Sequence, residues 1–376
     1  MKSWIDRDDA LALLGVKAQT LYAYVSRGRI RMEPDRVDAR RSRYHAGDIA
    51  ELVAQRSRGR RAATIAASAL ALGEPAIPTS ISISEKGRLF FRGRDAAELS
   101  QTEDLERLAA LFWEKPTAAD LTGRSITALD PFAALASLAS ASKPSLGRGS
   151  VTLTEDAGLI VGTLANVVGA VSSNEPLHQR LAEGWGCDQT AAHKLREALV
   201  LMADHDLTAS TFAVRVAAST GASLAASVLA GLCALSGPRH GGAASALCTL
   251  ITEASRDGTE STVDNWLNRG AECPGFGHPL YPDGDPRAEI MLDGISVPDE
   301  MQRLAEAVFT RTGLRPNCDF GLVAITNRFE LPQHAPFNLF LIGRSVGWCA
   351  HAIEQSRSGH LIRPRGRYEG PPLMID

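Results

Sequence analysis

The sequence predicts a mainly α-helical protein with a small basic module at its N-terminus, and three observations carry that prediction. From Ala96 onward apolar residues recur at helical spacing, in runs such as Leu105 to Trp113, Ala192 to Asp204, Phe212 to Ala234 and Leu339 to Glu354, separated by Gly, Pro and Asp. Downstream of the N-terminal module, strand character is confined to Ser80 to Phe91, which reads as a hairpin around Glu85-Lys-Gly87. Charge is uneven: residues 1–63 hold 14 Lys/Arg and 8 Asp/Glu, against 26 and 35 in the remainder. A chain of 376 residues, 44% hydrophobic and 22% charged, has room for two or three globular domains and a sizeable core.

The elements follow in order. Asp6 to Leu14 reads as a short helix with acidic residues in its first turn and Ala10, Leu11 and Leu14 on one face, ended by Gly15. Lys17 to Ser26 is a second short helix, with Leu21 and Val25 at i, i+4, and the Leu-Gly-Val between them is a tight turn. Arg27-Gly-Arg-Ile-Arg31 follows, then the basic stretch Arg40-Arg-Ser-Arg-Tyr44 and a third helix from about Ala46 to Gln55. Residues 4–56 resemble a winged helix-turn-helix of the MerR and excisionase type. That resemblance implies DNA binding through residues 1–60, with Lys17, Gln19, Thr20, Tyr22 and Tyr24 on or near the groove-facing helix and Arg27, Arg40, Arg41 and Arg43 on phosphates. The plainer alternative is a protein-docking module with solvated arginines.

Ser57-Arg-Gly-Arg-Arg-Ala-Ala63 reads as a linker, and Thr64 to Leu72 is Ala/Leu-rich before Pro75 and Pro78. No internal repeat interrupts the helical remainder. Val216 to Gly237 is uncharged, but Ala, Ser and Gly dominate it, which favours a centrally buried helix over a membrane span. Met1 to Arg7 is polar and no apolar h-region follows, so no signal peptide is expected; the six cysteines show no CxxC pairing, so neither a disulfide framework nor a zinc site is expected. A cytoplasmic protein with reduced thiols and no membrane partner is the expectation.

Three loops carry the chemistry. Gly237-Pro-Arg-His-Gly-Gly242, Gly275-Phe-Gly-His-Pro-Leu-Tyr-Pro-Asp-Gly-Asp-Pro-Arg287 and Asn317-Cys-Asp-Phe320 set His240, His278 and Asp319 in Gly/Pro-rich surroundings that permit close backbone approach to a ligand. Groups so dispersed act together only if the fold gathers them, and two imidazoles with a carboxylate point to acid/base catalysis. Read from the residues alone, Asp319 also fits a cap on the helix that follows. The histidines show no HxxxH or HExxH spacing, so no metal is expected, and no GxGxxG follows a strand, so no dinucleotide site is expected.

These loops have company in a fixed order. Asp204-His-Asp206 with Ala209-Ser-Thr211, the three loops, Gly343-Arg-Ser345 with Gly347-Trp348, and Arg363-Pro-Arg365 follow one another as they do in citrate synthases, and residues 70–376 resemble that family. The resemblance implies large and small helical domains, at 64–242 with 330–376 and at 243–329, the smaller closing over bound substrate. It implies condensation of acetyl-CoA, or propionyl-CoA as the close variant, with oxaloacetate to give citrate or 2-methylcitrate and CoA. The CoA thioester would be a co-substrate, with no tightly bound cofactor.

By the same resemblance Asp319 is the base toward the acyl methyl group, His240 hydrogen-bonds the enolate oxygen and His278 polarises the ketone. His205, Arg287, Arg344 and Arg363 hold the dicarboxylate, Arg363 from the other subunit of a homodimer, and Phe340 is a wall of the pocket. Pro274, Gly275, Phe276 and Gly277 wrap the adenine of CoA. Without the resemblance Arg363 reads as a surface ion pair and Phe340 as a core aromatic. Two positions depart from the family pattern: Pro282, where Arg or Lys is usual, and Gly321-Leu-Val in place of Tyr-Ser-Gly. A second reading is a transcription regulator whose synthase-like part senses a metabolite without turning it over.

Overall fold

The structure is a computed structural model that describes residues 4–16, 18–26, 29–35, 38, 41–50, 77–128, 130–366 and 368–371. The chain divides into two compact units, Met1–Pro78 and Thr79–Asp376.

In the first unit, β1 (Trp4–Ile5) leads into α1 (Arg7–Leu14), which Asp6 caps by accepting the Asp9 amide and Gly15 ends in the left-handed conformation. Next come α2 (Ala18–Ser26), β2 (Met32–Pro34) and β3 (Ser42–His45), and residues 46–50 begin a helix, α3. The antiparallel sheet has the order β1-β3-β2, and Ala10, Leu14, Leu21, Ile30, Tyr44 and Ile49 form its core. Gln19, Tyr22 and Ser26 fall on the exposed face of α2, three and four residues apart, and Thr20 is half-buried. Lys17, Arg27 and Arg40 lie outside the described residues, as do Thr64 to Leu72 and the linker. Arg41 and Arg43 are engaged with acidic neighbours, Arg41 at 3.5 Å from Asp38 and Arg43 at 3.1 Å from Asp35. Pairing of that kind leaves less positive potential than the sequence alone suggests.

The second unit opens with the expected hairpin, β4 (Ser82–Glu85) and β5 (Arg88–Phe91), and a two-residue strand β6 (Arg94–Asp95) extends it. Helices follow: α4 (Ala96–Thr102), α5 (Leu105–Phe112), α6 (Pro131–Ala141), α7 (Ser150–Val167), α8 (Leu177–Gly184), α9 (Gln189–Leu201), α10 (Ala209–Ser219) and α11 (Leu224–Leu235). The run from Phe212 to Ala234, read as one helix from its composition, is two. Gly221 takes a positive φ of 81° and the Ser223 hydroxyl accepts the Ala226 amide, so α11 starts afresh with its own cap. Among the described residues no helix is long and apolar enough to cross a membrane.

Then come α12 (Ala243–Asp257), α13 (Thr259–Asn268), α14 (Pro286–Leu292), α15 (Asp299–Thr312), α16 (Cys318–Arg328) and α17 (Ala335–Ser358). The 24-residue α17 packs against α5, α7, α9, α10, α11 and α16. Its approach to α9 and the turn that follows depends on missing side chains: a Cβ at Gly343 would stand 2.6 Å from the Leu199 carbonyl oxygen, and one at Gly347 2.3 Å from that of Ala203. Arg344 is held between these two notches. Helices α12 to α16 build a second hydrophobic core, around Leu247, Leu250, Val263, Met301, Leu304 and Val308, separate from the main one. Helix α16 joins both, with Cys318, Leu322 and Ile325 in the main core and Phe320, Val323 and Ala324 in the second. A helix buried on all faces shows no amphipathic stripe, which is why this run lacks one.

Candidate active site

Two loops are bound edge to edge before either presents its functional group. The Gly277 amide donates to the Arg315 carbonyl at 2.8 Å, the Asn317 amide to Gly275 at 2.9 Å, and the Asn317 side chain to Gly277 at 3.1 Å. Gly275 has a φ of 85°, and a Cβ there would meet Leu247 at 2.6 Å, so only glycine serves. Phe276 is buried against Phe320, and Pro274 is half-buried beside it. The loop that carries His278 and the turn that carries Asp319 are therefore joined by three hydrogen bonds.

Asp319 sits in the first turn of α16, but it is Asn317 that caps the helix, its side chain accepting the Asp319 amide at 3.0 Å. The capping role open to Asp319 from sequence is thus filled by its neighbour. Asp319 is 9% exposed, its Oδ1 is buried with no hydrogen-bond partner, and burial raises its pKa to about 7 against the pull of Arg287 and Arg344. Asp285, capping α14, grips Arg287 with both carboxylate oxygens, at 2.9 and 2.7 Å, and accepts the Cys318 amide at 3.1 Å. That carboxylate ties the starts of α14 and α16 together and holds Arg287 charged in a site where it is 3% exposed.

The imidazoles fall into two groups. His205 and His278 meet edge to face with centroids 4.9 Å apart, and the His205 Nε2 is 2.9 Å from the Tyr281 hydroxyl. Tyr281 also lies 5.6 Å beneath the Arg287 guanidinium. In the second group His240 meets the Phe340 ring edge to face with centroids 5.5 Å apart, and the Arg344 guanidinium lies 4.8 Å from the centre of the same ring. Ser210 Oγ is 2.7 Å from His240 Nε2 and within 3.2 Å of the Thr208 hydroxyl. Burial, then the field of Arg344, lowers His240 to about 4; burial, then Arg287, lowers His278 to about 4. His205, 4% exposed, is lowered well below the ordinary range by burial, Arg287, Arg344 and His278. All three rings are neutral at neutral pH.

Arg344 is fully buried; its Nε donates to the Met202 carbonyl at 2.9 Å, while Nη2 has no partner. Burial lowers its pKa to about 10, so it remains charged. The electrostatic couplings of Asp319 to Arg287 and Arg344, and of His205 to both, join the two groups into one site. Arg363 is exposed in the segment after α17. Pro282 is exposed, and Gly321 faces Met291, where a Cβ would come within 3.1 Å; its small size lets α14 and α16 close on each other.

Residues 150–365 match the family model described as citrate synthase, C-terminal domain, which is more than half of the chain. The chain belongs to the citrate synthase family. A putative citrate synthase 2 of Mycobacterium tuberculosis (strain ATCC 25618 / H37Rv) is 36% identical over 185 residues, covering 46% of this chain and 50% of the relative. A 2-methylcitrate synthase 2 of Corynebacterium glutamicum is 32% identical over 185 residues, with 46% and 48% covered. The aligned stretches thus span about half the length of these curated relatives. The citrate synthase of Thermoplasma acidophilum, solved as a ternary complex with carboxymethyl coenzyme A and oxaloacetate, superposes with a TM-score of 0.70 at 23% identity over 81% of this chain and 96% of that one. That likeness concerns the fold.

Sequence reading missed Tyr281, Ser210 and Asp285 as members of the site. Tyr281 and Asp285 lie within the His278 loop and Ser210 within the Ala209-Ser-Thr211 motif, so the signal was present as segment membership. Which side chain turns inward depends on packing.

Proposed function

We propose that this chain condenses an acyl-CoA with oxaloacetate, giving citrate from acetyl-CoA or 2-methylcitrate from propionyl-CoA, and free CoA. The observation that carries this reading is that two of the buried polar atoms without partners, Asp319 Oδ1 and Arg344 Nη2, lie in one site with three neutral imidazoles. Unpaired buried groups are costly, and an acid and a guanidinium so placed within one site suit a ligand that completes their bonding. An acid titrating near 7 suits removal of a proton from a weak carbon acid.

In this reading the Asp319 carboxylate takes a proton from the carbon next to the thioester carbonyl, a methyl in acetyl-CoA and a methylene in propionyl-CoA. With the Ser210 hydroxyl, 2.7 Å from His240 Nε2, as the donor, the ring proton is on Nδ1 and bonds the enolate oxygen. The Leu280 amide donates to His278 Nδ1 at 3.2 Å, so the His278 proton is on Nε2 and passes to the ketone oxygen as the new carbon–carbon bond forms. Arg287 and Arg344 bind the carboxylates, with His205 and Phe340 shaping the pocket. Water then hydrolyses the thioester and CoA leaves. Pro274 to Gly277 would receive the adenine of CoA. No step calls for a metal or a tightly bound cofactor.

The separate second core supports a division into a large domain, 64–242 with 330–376, and a small domain, 243–329, that closes and delivers His278 and Asp319 together. The exposed Arg363 fits donation to the partner subunit of a homodimer. A cytoplasmic setting accords with these substrates. A thioester panel with oxaloacetate, with products identified by mass spectrometry, tests the proposal; absence of turnover with every acyl-CoA would overturn it.

For the N-terminal unit, the exposed Gln19, Tyr22 and Ser26 face of α2 supports a winged helix-turn-helix that binds DNA. Salt-dependent, sequence-selective retardation of DNA is the expected result, and equal binding of unrelated duplexes would refute selectivity. A sensor without turnover is the less favoured reading, since ligand binding alone has no need of a base at Asp319.

A further inference from the structure

We propose that Ser82, Asp204 and His351 are positioning residues that clamp His205 in place for the dicarboxylate, an inference that rests on the reading of His205 given above. One hydroxyl brackets the histidine: Ser82 Oγ donates to Asp204 Oδ2 at 2.5 Å and accepts the Asp206 amide at 2.9 Å. It therefore fixes the side chain before His205 and the backbone after it. Asp206 has a φ of 57°, a left-handed conformation that Asp adopts more readily than most non-glycine residues, with its side chain accepting the Leu207 amide at 2.8 Å, and the bond from its own amide to Ser82 ties that turn to β4.

The same Asp204 oxygen has a second donor. His351 Nε2 stands 3.1 Å from it, and Arg215 Nη1 stands 3.0 Å from His351 Nδ1. Guanidinium has no acceptor, so Nδ1 must accept, and the ring proton is assigned to Nε2 and points at Asp204. Arg215 is itself anchored by Glu354 at 2.6 Å and Gln355 at 3.0 Å. Asp204 and His351 are 0% exposed and Arg215 2%. A buried polar chain of this length is a poor source of stability compared with apolar packing, but it selects one geometry. Strand β4 and helices α10 and α17 thus converge on one carboxylate next to His205. On its other side the imidazole meets Tyr281 and His278, which belong to the loop proposed to move. A fixed histidine meeting a mobile loop needs an independent anchor, and the clamp provides it.

The test uses full-length Ser82→Ala and Ser82→Thr, the second retaining the hydroxyl. Calorimetry with oxaloacetate should show at least tenfold weaker binding in Ser82→Ala and within threefold of wild type in Ser82→Thr. The KM for the thioester should be unchanged in both. In 15N-labelled protein the His205 ring signals, assigned with His205→Asn, should move in Ser82→Ala and stay in Ser82→Thr. Equal oxaloacetate affinity in Ser82→Ala and wild type, or equal losses in the two variants, overturns the clamp. If wild type fails to bind oxaloacetate, the functional reading falls, and the ring signals still decide the clamp: moved in Ser82→Ala alone they support it, unmoved they refute it.

Discussion

Replacing Asp319 with Asn should make the protein less dependent on pH for its stability as well as inactive. Burial lifts this carboxyl from the ordinary 3.8 to about 7, so the native state holds the proton more tightly than the unfolded chain does. Between those values the unfolded chain has lost the proton and the native protein has not. Stability therefore falls as pH rises through this window, and the full penalty is present above pH 7. At ~1.4 kcal/mol per pH unit, the displacement corresponds to about 4 kcal/mol. Asparagine has no such term, though its amide left without a partner costs ~1–3 kcal/mol at every pH. The difference in Tm between variant and wild type should accordingly climb by ~8 °C between pH 4 and pH 7, at ~2 °C per kcal/mol for a body of this size, and level off above. Differential scanning calorimetry across that range measures it. A Tm difference that does not change with pH would refute the claim that Asp319 is an unpaired buried acid.

Two further outcomes are expected. With oxaloacetate saturating, kcat/KM for the thioester should rise about tenfold per pH unit up to about 7 and then flatten, because Asp319 must be ionised while His240 and His278, titrating at about 4, stay neutral; a falling limb between pH 5 and 7 in stopped-flow CoA release would count against this assignment. Asp285→Ala should destabilise the protein by ~3–5 kcal/mol in chemical denaturation, since it leaves the buried Arg287 without its partner; a loss below ~1 kcal/mol would mean that the pair is solvated.

The sequence revealed the helical class and the hairpin because local period and turn chemistry decide them. It misjudged Phe212 to Ala234, where a run of small apolar residues hides a break that only Gly221 and Ser223 mark. His205, His240, His278 and Asp319 were legible through their ordered motifs, and folding sets them in one electrostatic site. The capping question at Asp319 was not legible, since Asn317 and Asp319 are both good caps and backbone direction chooses between them. Nor was the clamp on His205, whose partners Ser82 and His351 stand 122 and 147 residues from Asp204. Long-range pairs of that kind leave no trace in periodicity. The pairing of Arg41 and Arg43 with Asp38 and Asp35 likewise follows from how the strands of the first unit come together.

The most direct measurement is CoA release at pH 8 from acetyl-CoA or propionyl-CoA with oxaloacetate, for wild type and Asp319→Asn side by side. Turnover should require oxaloacetate and fall at least about a hundredfold in the variant. Turnover that survives in Asp319→Asn would contradict the role of Asp319 as the base.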